Sequence, residues 1–415
     1  MPYTINLFTN WLSYESWPAL KVWLQSAEGG KLRVIEPKDS DYALVRYVKG
    51  QSDFTMPHVP WCRSVVVHKE SRLPVCVSPP KASPLSNDAI NSAISAENFV
   101  DGTMLNIYRM NDGVVLLSTR SRLGGNSKFY NDSKTFEEML NEIVPEHSKI
   151  LKDDSDAKSV FTSVVLQHPS NRIVLKIDEP CVKIVHQGSV SADGTVTICE
   201  TFSEFGGDAV SDKMKIDTYN INAARNSKSV ENWVSACAQE RGFGWQGVVL
   251  RDGNGNRYRI RSKVYETVRR CRGNESSSEE RFARLRHTRT TAMYLTFYPE
   301  DHGVLYELEG RLRTNTRQLY TFYADVFRSR KTPYHELPWP YKHHVSVLHN
   351  LFKEKLMKEN KKITLDEVIK YVNNLNLQDL ANMVKVHNIE LCKNSKPKDS
   401  NSKDESSLTN EPSHD

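Results

Sequence analysis

Several residue patterns that define common enzyme and metal sites are missing from this sequence. It contains no CxxC pair, and its seven cysteines are scattered and odd in number, so neither a disulfide framework nor a zinc site is expected. It also contains no Gly-x-x-x-x-Gly-Lys phosphate loop, no His–Glu metal motif and no Ser/His/Asp order. We therefore predict a reducing compartment, the cytosol or the nucleus, and no metal site.

Long hydrophobic segments are missing as well. The sequence has no run of ~18 apolar residues, so neither a transmembrane span nor a membrane partner is expected. The first residues, MPYTINLFTNWLSYESW, carry no early basic patch, long apolar run or cleavage site, and we expect no secretory signal. Apolar residues make up 38% and charged residues 26%, which indicates a soluble protein with a real core.

The 415 residues are enough for two or three globular units, because a domain usually has ~100–200 residues. Between residues 100 and 265, short β-branched runs alternate with Gly, Asn and Asp turns, a pattern that predicts strands. The clearest runs are Val114–Leu117, Val164–Leu166, Ile173–Leu175, Val182–Val185 and Gly247–Leu250. One helix is predicted among them, with Thr135 as its N-cap and Glu138 in its third position.

Beyond Tyr265 the pattern becomes helical, over 277–297, 303–330, 343–360 and 364–390. The predicted fold class is therefore α+β, with an antiparallel-sheet core followed by an all-helical C-terminal domain. We predict an N-terminal extension packed on the core over 1–60, the core domain over 61–268 and the helical domain over 269–391. The polar residues 392–415, which include no aromatic side chain, are predicted to be disordered.

Positive charge is concentrated in one part of the chain. The net charge is only +5, yet residues 251–289 contain 12 Lys/Arg against 5 Asp/Glu. Arginine binds phosphate in a bidentate manner, so this stretch is the best candidate for contact with a polyanion. The alternative is a solvated helix face with scattered ion pairs.

Several short segments occur in an order that is more specific than any one of them. The first is Arg63-Ser-Val-Val-Val-His68, followed by Pro79-Pro80-Lys81 and Phe99-Val100-Asp101-Gly102. Pro169-Ser-Asn-Arg-Ile-Val174, Gln246-Gly-Val-Val249 and Tyr258-Arg-Ile-Arg-Ser262 come later. Together they resemble the phage tRNA-repair type of ATP-dependent RNA ligase, and they are also similar to ligase-like proteins of large DNA viruses. The resemblance covers roughly residues 60–270.

The resemblance implies a covalent nucleotidyltransferase fold for the core, with ATP as the nucleotide and RNA, single-stranded or tRNA-like, as a partner. In that family a lysine stands two residues before Asp-Gly, and its amine attacks the α-phosphate of ATP. Here Phe99 holds that position, and a phenyl ring cannot form a phosphoramidate. Asp101 and Gly102 keep the family residues, and no lysine occurs between Lys81 and Lys128. The alternative to a lost nucleophile is a different motif register.

The resemblance also implies a set of nucleotide- and phosphate-binding residues: Arg63, Lys81, Arg172, Gln246, Arg259 and Arg261. We expect Arg63, Lys81, Arg259 and Arg261 to converge on one pocket. Gln246 stands where the family has a metal-side glutamate, and the third motif also lacks its glutamate. Metal binding needs charged oxygen ligands, so whether Mg²⁺ is used stays open.

Each of these residues also has a structural explanation. Lys81 is either a substitute nucleophile or a phosphate or core-edge contact. His168 is either a nucleotidyl acceptor or a hydrogen-bonded structural residue. Asn171-Arg172 could simply be a turn, and Arg259 and Arg261 could lie on a solvent-exposed edge strand. Gly124-Gly125 could cradle a phosphate on backbone amides or form an ordinary flexible turn.

Three functions are consistent with these residues. The first is a ligase-like protein that binds RNA or a nucleotide and has lost lysine–adenylate chemistry. The second is an active RNA ligase, with a role in RNA repair, that uses a non-standard nucleophile. The third is a protein-interaction scaffold that keeps the fold. A viral source would place the protein in the host cytoplasm, and the sequence does not indicate an oligomeric state.

Overall fold

The computed structural model describes residues 2–111, 113–128, 134–199, 205–222, 230–275 and 277–386. The chain forms two compact units, and the boundary between them lies between Arg270 and Cys271. The predicted disordered tail, 392–415, lies outside the described residues. The α+β class is confirmed, with antiparallel sheets in the first unit and helices in the second.

The first unit contains strands and short helices. The strands are β1 (Tyr3–Ile5), β2 (Arg33–Ile35), β3 (Tyr42–Arg46), β4 (Val65–His68), β5 (Pro74–Val77), β6 (Ser83–Pro84), β7 (Ala93–Asn98), β8 (Thr103–Met110), β9 (Val115–Thr119), β10 (Ser159–Gln167), β11 (Cys181–Val190), β12 (Val196–Cys199), β13 (Thr218–Tyr219), β14 (Gly247–Asp252) and β15 (Arg257–Arg261). The helices are α1 (Trp17–Gln25), α2 (Asn87–Ser92), α3 (Phe136–Asn141) and α4 (Val230–Arg241), followed by α5 (Lys263–Arg272), which crosses the unit boundary.

These strands form three sheets. The six-stranded sheet has the order β1-β12-β11-β10-β8-β9, and the four-stranded sheet has the order β2-β3-β4-β5. The five-stranded sheet has the order β13-β7-β14-β15-β6, in which only the short β15–β6 pair is parallel. A hairpin joins β14 to β15, and Arg251 pairs with Arg257 across its turn.

The six-stranded sheet is buried on both faces. On β10, Phe161 points into one core with the N-terminal segment and the four-stranded sheet, whereas Val160 and Val164 point into a second core with α3. Alternate side chains of a strand face opposite sides, so a sheet covered on both sides has a nearly continuous apolar run such as Val164–Leu166. Helix α4 covers the five-stranded sheet in a third core.

Two local predictions have different outcomes. The capping box at Thr135 is confirmed: its hydroxyl accepts from the Glu138 amide at 3.1 Å, and Glu138 accepts from the Thr135 amide at 2.6 Å. The strand predicted for Ile173–Leu175 is wrong, because this segment forms no strand. The amides of Val174 and Leu175 instead donate to the side chain of Asp101, which satisfies them without a ladder partner.

The second unit is helical over its described residues. Its helices are α6 (Ser278–Thr288), α7 (Thr291–Phe297), α8 (His302–Phe327), α9 (Trp339–Leu351), α10 (Leu365–Asn373) and α11 (Leu377–Lys385). The long helix α8 buries Leu305, Leu308, Leu312, Leu319 and Tyr323, which recur at helical spacing.

The described residues contain neither a membrane-spanning helix nor a metal-binding cluster. No described helix combines the length and the apolar character needed to cross a bilayer. Within the same residues, no cluster of three or more His, Cys, Asp and Glu side chains is arranged to hold a metal ion.

Candidate functional site

The Phe99–Gly102 segment crosses from one sheet to another. Strand β7 of the five-stranded sheet ends at Asn98, and β8 of the six-stranded sheet begins at Thr103. Gly102 has a φ of +150°, and a Cβ there would lie 2.5 Å from the Leu166 carbonyl oxygen. Glycine is therefore required at this crossing by both conformation and close approach.

The Asp101 carboxylate is buried and accepts three hydrogen bonds from the protein. Its Oδ2 accepts from the amides of Val174 and Leu175, each at 2.9 Å, and its Oδ1 accepts from the Tyr265 hydroxyl at 2.6 Å. Burial, together with the neighbouring carboxylate, raises the pKa of Tyr265, so this hydroxyl keeps its proton and remains a donor. Asp101 therefore holds three parts of the site together.

Phe99 lies beside a guanidinium. Its amide donates to the Gly247 carbonyl at 2.9 Å, which places the residue next to the start of β14. The guanidinium of Arg261 lies over the Phe99 ring, 5.2 Å from the centroid, within the range of a cation–π contact. The ring of Phe99 is therefore in contact with a cation.

Strand β15 carries arginines at alternate positions, which places Arg257, Arg259 and Arg261 on one face. Arg257 donates to the Pro80 carbonyl at 3.3 Å and Arg259 to the Ala82 carbonyl at 3.2 Å, on either side of Lys81. The edge-strand alternative is wrong, because β15 lies between β14 and β6. Ser262 follows as a helix cap, with its hydroxyl accepting from the Tyr265 amide at 3.3 Å.

The arginine-rich stretch 251–289 is divided between the two units and is partly neutralised. In the second unit Arg281 pairs with Asp301, Arg284 with Glu275 and Arg286 with Glu309. In the first unit Arg251 pairs with Glu97 at 2.7 Å, and both side chains are buried. The ion-pair alternative thus describes much of the stretch, and the arginines of β15 are its best remaining phosphate candidates.

Lys81 and Arg120 lie against the same ring. The Lys81 ammonium is 3.5 Å from the Phe54 centroid and 5.9 Å from that of Tyr47, and the Arg120 guanidinium is 5.3 Å from Tyr47. Arg120 is 8% exposed, and its buried Nε has no hydrogen-bond partner among the described residues. A buried guanidinium with a spare donor is suited to accept an anion. Arg63 is half-buried just before β4.

The remaining sequence candidates have structural roles. His168 is buried, accepts from the Ser170 amide through Nδ1 at 3.0 Å, and contacts Glu142 through Nε2 at 3.1 Å. Arg172 donates to the Val174 carbonyl through Nε and Nη2, at 3.3 and 3.2 Å. These contacts favour the structural explanations of both residues. The amide of Gly124 already donates to the Leu117 carbonyl at 2.7 Å, which favours a turn over a phosphate cradle.

A cavity of about 240 Å³ opens beside Phe99. Its walls are Asn98–Asp101, Gln167, Leu175, Lys183, Lys215–Asp217, Arg241 and Gly244–Gln246. Three cationic side chains therefore line it, together with the aromatic rings of Phe99 and Trp245. Asn98 adds a buried Oδ1 with no hydrogen-bond partner among the described residues. The volume suits a phosphate group or a nucleobase, since pockets for whole ligands are usually larger, about 300–1,000 Å³.

The cavity includes residues that the sequence reasoning missed. Of the predicted phosphate set, Gln246 lines it, whereas Arg63, Lys81, Arg259 and Arg261 do not. Lys183, Lys215 and Arg241 belong to no family motif, and only the fold brings them to Phe99. The one available signal was Lys183, a charged residue inside the apolar run Val182–Val185.

The side chains around Phe99 do not fit the divalent-metal site of a covalent ligase. Mg²⁺ prefers near-octahedral oxygen ligands and is usually bound through one or two carboxylates. Here the Asp101 carboxylate is committed to three protein donors, and the Gln246 side chain is an uncharged amide. The other carboxylate of the cavity wall, Asp217, lies 3.9 Å from the Arg241 guanidinium. We therefore assign no reaction step through a bound metal.

Comparison with known proteins gives a fold-level similarity. One solved structure, an archaeal ATP-dependent RNA ligase, matches with a TM-score of 0.33 and 12% sequence identity. The match covers 68% of this chain and 65% of the ligase chain, which is less than two thirds of the ligase. No family model matches the sequence, and no curated protein matches it. With a TM-score below 0.5, any functional conclusion has to come from the site residues of this chain.

Proposed function

We propose that this chain is a ligase-like protein that binds a nucleotide or RNA through phosphate contacts and does not form a lysine–adenylate. The observation that carries the proposal is Phe99, which lies at the lysine position with Arg261 over its ring. An aromatic ring can stack on a base or support a cation, but it cannot attack phosphorus. Cationic side chains line the cavity beside it, and Gln246 supplies an amide rather than a carboxylate.

Two groups of cations support anion binding. Lys183, Lys215 and Arg241 line the cavity beside Phe99. Of its two acidic lining residues, Asp101 accepts three hydrogen bonds from the protein and Asp217 lies 3.9 Å from Arg241. Lys81 and Arg120 lie on the ring of Tyr47 near the Pro80–Ala82 segment that Arg257 and Arg259 hold. ATP and RNA both present the required phosphate oxygens, which arginine and lysine bind.

The covalent step is tested with α-³²P-labelled ATP and either Mg²⁺ or Mn²⁺, followed by a denaturing gel. We expect no labelled band from the full-length protein. Nucleotide binding is measured separately, by equilibrium dialysis without metal, and should weaken in Lys183→Gln/Arg241→Gln. Lys149→Gln/Lys361→Gln is the matched control, because these lysines pair with Glu146 and Glu359 and lie away from the cavity walls. A band that survives denaturation would contradict the loss of adenylation.

One observation favours a second candidate, an active ligase with a displaced nucleophile. Lys183 and Lys215 both line the cavity beside Phe99, whereas Lys81 does not. A neutral lysine amine there would form a nitrogen–phosphorus bond to the α-phosphate, lose a proton, and release pyrophosphate as the phosphorus–oxygen bond breaks. The same gel tests this candidate: a labelled band lost in Lys183→Ala or Lys215→Ala, and kept in Lys81→Ala, would support it.

A further inference from the structure

The segment between α8 and α9 presents aromatic rings and positive charge to solvent. Tyr334 is 41% exposed and Trp339 is 62% exposed. Most large aromatic side chains in proteins are more deeply buried than this. Arg330 and Lys331 precede them, and both are exposed. We call these four residues the aromatic–basic platform.

The platform is held in place by its own segment. Leu337 is only 3% exposed and anchors the loop, and Pro333 and Pro338 restrict its backbone. The Tyr334 hydroxyl donates to the Lys342 carbonyl at 3.0 Å, and the Lys342 ammonium donates to the His335 carbonyl at 2.7 Å. The rings are therefore presented by an ordered loop, which reduces the entropy lost when a partner binds.

The charge of the segment favours an anionic partner. Arg330 and Lys331 have no side-chain partner among the described residues, whereas Arg328 is held by the Tyr320 hydroxyl and the Ile363 carbonyl. From residue 328 to residue 343 the sequence contains four Lys/Arg and one acidic residue, Glu336. A protein partner with an apolar surface would not need these cations.

We infer that the aromatic–basic platform binds single-stranded RNA, with bases stacked on Trp339 and Tyr334 and phosphates held by Arg330 and Lys331. Bases of a single strand are free to stack on aromatic rings, and phosphates give the contact its salt dependence. The inference builds on the RNA-binding part of the proposed function and adds a contact in the helical unit that does not involve the Phe99 site.

The test is fluorescence anisotropy of the full-length protein with a labelled 20-nucleotide single-stranded RNA over a range of salt concentrations. Trp339→Ala should weaken binding by roughly 5- to 100-fold, the range for one lost stacking contact, with little change in the salt slope. Arg330→Gln/Lys331→Gln should reduce the magnitude of the slope by about 1.4, because each phosphate contact on a single strand contributes about 0.7. Trp339→Phe should keep most of the affinity.

Tyr306→Ala is the matched control, because Tyr306 is 77% exposed on α8 in the same unit. Unchanged RNA affinity in Trp339→Ala, or an equal loss in Tyr306→Ala, would refute the platform. Full affinity in Trp339→Leu would indicate a merely apolar contact and would also refute stacking. Thermal melting of each variant excludes unfolding as the cause. The nucleotide dialysis and the ATP gel report on the Phe99 site independently, so either proposal can fail alone.

Discussion

Three hydrogen bonds to the Asp101 carboxylate determine what this residue can do. Two come from the backbone of Val174 and Leu175, and one comes from Tyr265 at the start of α5. Through these bonds the carboxylate connects the Phe99–Gly102 segment to Val174–Leu175 and to helix α5. These contacts give Asp101 a structural role that does not depend on a neighbouring lysine.

We expect Tyr265→Phe to lower the free energy of unfolding by about 1.5–3 kcal/mol. The substitution removes a hydrogen bond to a charged group and leaves part of a buried carboxylate unsatisfied. Urea denaturation of the full-length protein measures this change. Tyr306→Phe, at a 77% exposed position, should change stability by less than about 0.5 kcal/mol. Equal effects of the two substitutions would show that the Tyr265–Asp101 bond is not important for stability.

A second prediction at this scale concerns Phe99 and Gln246, which the resemblance aligns with the lysine and the metal-side glutamate of the ligase family. Phe99→Lys should give no labelled adenylate in the ATP gel, because Gln246 supplies no charge for a metal. Phe99→Lys/Gln246→Glu should give a labelled band, since Arg261 is close enough to favour the neutral form of an introduced lysine. A band of equal intensity from the single variant would show that position 246 is not decisive.

At the scale of elements, the strands and helices followed from the sequence, whereas the cavity did not. Runs such as Val164–Leu166 have the periodicity of buried strands, and the Thr135 capping box is a local signal. Ile173–Leu175 has the composition of a strand, but its amides are taken by Asp101, a partner that composition cannot reveal. Lys215 and Arg241 reach the cavity only through tertiary packing.

The crossing between the two sheets allows a test of why glycine follows Asp101. Gly102→Ala should destabilise the protein by about 1–3 kcal/mol more than Gly113→Ala, because a methyl group would meet Leu166 and Val165 at 2.5 and 2.6 Å. Gly113 also has a positive φ, +105°, but has nothing within 4 Å, so its substitution isolates the conformational cost. Urea denaturation of both variants gives the comparison. Equal losses would show that Leu166 and Val165 move aside without cost.

At the scale of the whole molecule, the arginine-rich stretch 251–289 lies partly in each of the two units. Its later part, with Arg281, Arg284 and Arg286, is neutralised by acidic partners inside the helical unit. Its earlier part, on β15, faces the Pro80–Ala82 segment and Phe99. A net charge of only +5 therefore does not describe the local field, because the positive charge is concentrated in particular segments of the chain.

If the face of β15 holds an RNA backbone, affinity should fall steeply with salt. Three phosphate contacts at β15 would contribute about −2 to the slope on a log–log plot, because each contact on a single strand contributes about −0.7. Arg259→Gln/Arg261→Gln should reduce the magnitude of this slope by about 1.4 and weaken binding to all sequences alike, since phosphate contacts carry no base information. Anisotropy titrations with two unrelated RNA sequences at several salt concentrations measure both effects.

Arg311→Gln/Arg313→Gln is the matched control for this double variant. These two arginines are on α8 and contact Glu307 and Glu309 one turn away, so each already has an acidic neighbour. The control should leave the slope within the error of the wild-type value. An affinity that does not depend on salt would show that RNA phosphates do not contribute to binding. An equal loss of RNA affinity in both double variants would show that the effect of the β15 variant comes from a general loss of positive charge. A flattened slope in the β15 variant alone would therefore place RNA phosphates on that strand.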